Sequence, residues 1–136
     1  MAESQVAVAI VAHAPLGSAL KSVAEHIFGE HPGLTVIDVL PGACAEDSTE
    51  SLINRLKRLD TGAGVLLLTD LPGASPANIC VRACSLAHQA GMRCEVVSGV
   101  NASMVLRVVN YGTSDLNDIV QVALEGAAQT VKRIDS

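Results

Sequence analysis

The chain reads as an α/β fold: a doubly wound, mainly parallel sheet in the order 2-1-3-4 with helices on both faces. Two observations carry that reading. Short apolar runs of strand type alternate with stretches whose apolar residues recur at helical spacing, and this alternation calls for right-handed βαβ crossovers. One run, GVLLLT at Gly64–Thr69, is apolar at nearly every position, as a strand covered on both faces requires.

Taken in order, Gln5–Val11 is the first strand, and Leu16, Ala19, Leu20, Val23, Ala24, Ile27 and Phe28 form the stripe of the helix behind it. Pro32 and Gly33 stop that helix. Leu34–Leu40 is the second strand, closed by Pro41-Gly42; Asp47 and Glu50 have capping-box spacing ahead of the stripe Leu52, Ile53, Leu56 and Leu59. After the central strand, Ser75-Pro76 reads as a helix cap with proline in the first helical position, and Ile79, Ala83, Leu86 and Ala90 carry that helix to Gly91. Arg93–Ser98 is a fourth, less apolar strand, placed nearer an edge. A short helix at Val105–Val109 and a long stripe from Leu116 to Val131 complete the chain.

The 136 residues are about one domain's worth, so residues 1–136 are expected to form a single domain; the 49% apolar content supplies a continuous core. With one Phe, one Tyr and no Trp, that core is built of Val, Leu, Ile and Ala in close-set layers. A net charge of −5 without a Lys/Arg cluster argues against nucleic acid and anionic membrane as main partners. The acidic start and its short apolar run fit neither a secretory signal nor a membrane span, so a cytoplasmic protein without membrane insertion is expected. In that compartment Cys44, Cys80, Cys84 and Cys94 are expected as thiols. Cys80 and Cys84, four apart on a helix, have metal-ligand spacing, yet they fall on an alanine stripe where cysteine packs as a small hydrophobe.

In a sheet wound 2-1-3-4, ligands gather beyond the carboxyl ends of strands 1 and 3, where the winding reverses. His13 and Asp70 sit there. An imidazole that donates one N–H to a carboxylate has a fixed tautomer, and its other nitrogen is left as a nucleophile or ligand. The following LPGASPAN turn runs into a helix start, so its N–H groups and the helix dipole offer a seat for an anion, with a phosphoryl group as the natural occupant. SGVNAS, Ser98–Ser103, forms a further wall. Each residue alone has a plainer reading: a strand-end histidine, a turn aspartate, a serine cap, and His26 and His31 at a helix end facing the dipole. His88 is expected to face solvent. The convergence of His13 and Asp70 at one switch point lifts them above these.

With AIVAHAPLGSAL, VIDVLPG, GVLLLTDLPGASPAN and SGVNASMVL in this order, nearly the whole chain resembles the IIA domain of the mannose-type sugar phosphotransferase system. The resemblance implies that His13 accepts a phosphoryl group from the small carrier HPr and passes it to a histidine on a IIB protein or domain. It also implies that Asp70 orients the ring, and that Ser75 and the backbone of Pro72, Gly73, Ala74 and Ser75 hold the phosphoryl group. It implies homodimers that exchange an antiparallel strand, for which Val131–Ile134 is the candidate, and no permanent cofactor. The chain departs from the family pattern at Ala12, Ala14 and Pro15 around the histidine, at Ala74 in the loop and at Ser103. These leave the nucleophile and its carboxylate intact and bear on partner choice and rate. Other readings are a phosphoryl donor to a dihydroxyacetone kinase, a free-standing regulatory sensor, and a small-molecule binding module with an inert His13. A metal held by His13 and Asp70 lacks a third ligand in the pattern, so no metal is expected.

Overall fold

The computed structural model describes residues 4–30 and 33–135; His31 and Pro32 lie outside the described residues. The strands are β1 (Ala7–His13), β2 (Leu34–Val39), β3 (Val65–Leu68) and β4 (Cys94–Val97). They form a parallel sheet, as the alternation predicts, in the expected order β2-β1-β3-β4. The helices are α1 (Leu16–Phe28), α2 (Ala45–Leu59), α3 (Ser75–Gln89), α4 (Ala102–Tyr111) and α5 (Leu116–Thr130).

Successive strand side chains point to opposite faces, so β1, apolar up to His13, and the all-apolar β3 each feed two cores. Val8, Ile10, Ala12, Leu66 and Leu68 meet α1, α4 and α5 through Leu20, Ala24, Met104, Val105, Val108, Leu116 and Ile119. Ala9, Val11, Val65 and Leu67 meet α2 and α3 through Leu52, Leu56, Ile79, Cys80 and Ala83. Every residue of β3 is buried, which accounts for GVLLLT carrying no polar position before Thr69. α1 ends at Gly29, whose φ of 81° is accessible mainly to glycine.

Several boundaries differ from the sequence reading, each for a local reason. His13 is the last residue of β1 and not the first after it, because its pairing with Val39 extends the ladder. α2 starts at Ala45 behind Cys44 with no side-chain cap, so the capping box of Asp47 and Glu50 does not form; Glu46 and Asp47 instead place charge in the first turn, facing the helix dipole. α4 is longer than its apolar stripe, since Asn101 caps it by accepting the Met104 N–H at 3.1 Å. Residues 131–134 form no strand within the chain, and Val131 and Ile134 are 84% and 86% exposed.

The cysteines depart furthest from expectation. Cys84 and Cys94 form a disulfide, with Cα atoms 5.4 Å apart. The connection from α3 to β4 is tight, and it brings the last turns of the helix back over the first residue of the strand. His88 ties the same junction: its Nε2–H donates to the Cys94 carbonyl at 2.8 Å, so this exposed ring is bound at one end and not simply solvated. Cys80 remains a buried thiol, pushed up to about 12, chiefly by burial, with the Asp70 charge adding and the Thr69 hydroxyl opposing. It is therefore a packing residue and not half of a metal pair. Closing a ring of this size restricts the unfolded chain by about 2–3 kcal/mol. Reductant should lower the urea midpoint of the native chain accordingly and leave that of Cys94→Ala unchanged, as followed by circular dichroism.

Candidate functional site

The site is built where β1 and β3 end side by side. Ile10 pairs with Leu68, so the chain beyond β3 delivers Asp70 alongside the last residues of β1. The Asp70 backbone is fixed from its other side, since the Gly99 N–H donates to the Asp70 carbonyl at 2.8 Å and the Val100 N–H to the Thr69 carbonyl at 2.9 Å. The SGVNAS loop thus acts as a brace as well as a wall.

Asp70 gathers three donors. His13 Nδ1 lies 2.7 Å from Asp70 Oδ2, the His13 N–H donates to the same oxygen at 3.1 Å, and the Leu71 N–H donates to Oδ1 at 2.9 Å. A carboxylate can only accept, so the ring proton sits on Nδ1 and the Nε2 lone pair faces outward. Burial raises the Asp70 carboxyl; the hydrogen bonds from the His13 ring, the His13 N–H and the Leu71 N–H, with the His13 charge, outweigh it and hold the group below its ordinary 3.8. The Asp70 side chain is only 10% exposed while that of His13 is 49% exposed, so the carboxylate is covered and the imidazole is open.

The loop after Asp70 is a turn closed by the Ala74 N–H on the Leu71 carbonyl at 3.2 Å, with Gly73 at φ 84°. That turn makes the Ala74 carbonyl the first helical acceptor, for the Asn78 N–H at 3.0 Å. Ser75 is therefore the first residue of α3 and not its cap, and Pro76 falls one position further in than expected. The consequence is chemical. Among the described residues the Gly73 N–H, the Ser75 N–H and the Ser75 hydroxyl have no protein acceptor, whereas Ala74 is used by the turn and Pro72 has no N–H. Asn78, which sequence reasoning passed over, donates from Nδ2 to the Gly73 carbonyl at 3.3 Å and so ties the loop to the first turn of α3. Its place in LPGASPAN was the available signal.

The imidazole stands on an open rim. A groove of ≈ 520 Å³ lies nearby between β2 and α2, but it is lined by residues such as Val11, Val39, Leu40 and Arg55 and not by His13. Two exposed leucines sit next in sequence to residues of this rim: Leu40, following the partner of His13 in β2, and Leu71, following Asp70, are 65% and 59% exposed. Among the described residues no group of three His, Cys, Asp or Glu side chains is placed to hold a metal, and no helix is long and apolar enough to cross a membrane.

The family described as "PTS system fructose IIA component", EIIA-man, matches residues 7–123. The chain belongs to this family. Its members are components of sugar phosphotransferase systems. Over 132 residues, 95% of this chain, it is 32% identical to the "PTS system mannose-specific EIIAB component" of Escherichia coli (strain K12). It spans 39% of that relative's length, about two-fifths. Over 121 residues it is 28% identical to the "Transcriptional regulatory protein LevR" of Bacillus subtilis (strain 168), covering 86% of this chain and 12% of that protein. The fold matches the mannose/sorbose specific IIA subunit of Enterococcus faecalis with a TM-score of 0.85 at 18% identity, over 98% of this chain and 97% of that one.

Because the folded Asp70 carboxyl ionises below its unfolded value, its contribution to stability is complete above the ordinary carboxylate range. That contribution is lost as pH falls through the lowered value. Acid titration of native chain and Asp70→Asn should show a loss below about pH 4 that the variant lacks, read by thermal melting.

Proposed function

We propose that the chain is a phosphoryl carrier of a sugar phosphotransferase system, loaded from the phosphohistidine of HPr and unloaded onto a histidine of a IIB protein or domain. The observation that carries this reading is the 2.7 Å contact between His13 Nδ1 and Asp70 Oδ2, with Nε2 left open. In the transfer, the Nε2 lone pair attacks phosphorus while the N–P bond of the donor breaks and its electron pair returns to the donor ring. Positive charge then builds on the His13 ring against the Asp70 carboxylate, which is placed to offset it. The incoming phosphoryl oxygens are met by the free Gly73 and Ser75 N–H groups, the Ser75 hydroxyl and the positive end of α3. Pro72 and Ala74 shape the turn that aims them.

An open ring on a rim that carries exposed leucines suits a donor and an acceptor that are themselves proteins, since each brings its own surface to exclude water. It suits an enclosed small substrate poorly. The carrier is proposed as a cytoplasmic homodimer: among the described residues nothing pairs with the outer edge of β4, and Val131 and Ile134 are exposed and free to pair in a second copy.

A second reading is regulatory, in which the phosphorylation state of His13 governs binding to a target and little sugar flows. The likeness to a protein named as a transcriptional regulator supports it. The two readings part at unloading.

Incubation with phosphoenolpyruvate, the first enzyme of the system and HPr should add the mass of one phosphoryl group to the native chain and none to His13→Gln. Asp70→Asn should load roughly a hundredfold more slowly, within the range for a positioned proton-holding group. Loss of the phosphoryl group on adding a IIB protein supports the relay, and retention supports the sensor. Equal loading of His13→Gln refutes both.

A further inference from the structure

The helix that follows His13 has no cap of its own. α1 is preceded by Pro15, which offers no side-chain acceptor, and its first turn carries no acidic residue. The N–H groups of that turn need acceptors from elsewhere. Asp38, in the middle of the otherwise apolar VIDV of β2, supplies one: the Ser18 N–H donates to its Oδ1 at 3.2 Å and the Ser18 hydroxyl to its Oδ2. The approach depends on Gly17, where a Cβ would stand 2.8 Å from Val36 Cγ1 and 2.9 Å from Asp38 Oδ1.

The neighbouring residue of β2 holds the other end of the same link. Val39 pairs with His13, and its carbonyl accepts the Ala14 N–H at 3.0 Å. Only Ala14 and Pro15 separate His13 from α1, so consecutive residues of β2 fasten the backbone on both sides of the nucleophile's exit. Asp70 then fixes the ring from the β3 side. A carboxylate in this half-buried position carries a desolvation cost that an apolar residue would avoid, and a fastening role offsets it.

We infer that Asp38 is a positioning residue for His13, acting through Ser18 and the first turn of α1 to keep the imidazole aligned with Asp70 and with an incoming phosphorus. This rests on the reading of His13 as a phosphoryl carrier. Transfer between two rings is sensitive to displacements well below the length of a bond, so a small tilt of α1 reaches the rate while leaving donor docking alone.

The experiment compares native chain, Asp38→Ala, Asp38→Asn and Ser22→Gly, the last weakening α1 on its exposed side away from the first turn. One readout is the His13 Nδ1–H resonance of the resting chain by proton–nitrogen NMR. The other is the loading rate at varied concentrations of phosphorylated HPr. Asp38→Ala is expected to broaden or lose the Nδ1–H signal and to lower kcat about tenfold, with KM within about twofold. Asp38→Asn, which keeps an acceptor for Ser18, should retain both. Should Asp38→Ala fail to fold, Ser18→Ala is read in its place, with a smaller loss in the same direction. The inference is overturned if the alanine variant matches the native chain in both readouts, or if Ser22→Gly reproduces its losses. A native chain that takes no phosphoryl group fails the carrier reading, while the resonance still decides the role of Asp38.

Discussion

One carboxylate organises the functional end of this molecule. Asp70 draws the His13 ring, the His13 backbone and the Leu71 backbone onto its two oxygens, so the last residue of β1 and the loop leaving β3 are held as a single unit. Its negative charge is maintained by those same donors against the opposing effect of burial. Everything beyond the strand ends is arranged around that fixed charge. The turn from Leu71 to Ala74 springs from it, α3 begins behind that turn, and the loop at Gly99 grips its carbonyl from the β4 side.

The division of labour between the two faces of the sheet follows from strand alternation. One core joins α1, α4 and α5 to the sheet and the other joins α2 and α3, so the helix that follows His13 and the helix that follows the anion-facing turn approach from opposite sides. The His13 ring and the free N–H groups of the loop before α3 therefore belong to separate layers that meet only at the rim. The result is a half-exposed ring on an open rim, with the exposed Leu40 and Leu71 next in sequence to its residues.

Much of this was legible in the chain. The parallel α/β architecture followed from alternating periods, and the meeting of His13 with Asp70 followed once the order 2-1-3-4 was taken, because parallel strands that are neighbours end on the same edge. GVLLLT announced a strand with no free face. What stayed hidden depended on single backbone conformations and on contacts between distant segments. The positive φ of Gly73 moved the start of α3 by one residue and changed which N–H groups of the loop remain free. Composition and compartment pointed to thiols, whereas the tightness of the path from α3 to β4 decided the pairing of Cys84 with Cys94. Asp38 was visible as a charge in an apolar run, but its partner Ser18 lies 20 residues earlier on another element, a distance that periodicity does not span.

The account stands or falls on which ring nitrogen is held and which is free. The direct measurement is a long-range proton–nitrogen spectrum of the His13 imidazole, recorded at rest and after loading by phosphorylated HPr, with phosphorus coupling resolved. The account predicts a proton on Nδ1 in both states and phosphorus bonded to Nε2. Phosphorus on Nδ1, or a resting ring whose proton resides on Nε2, would contradict it.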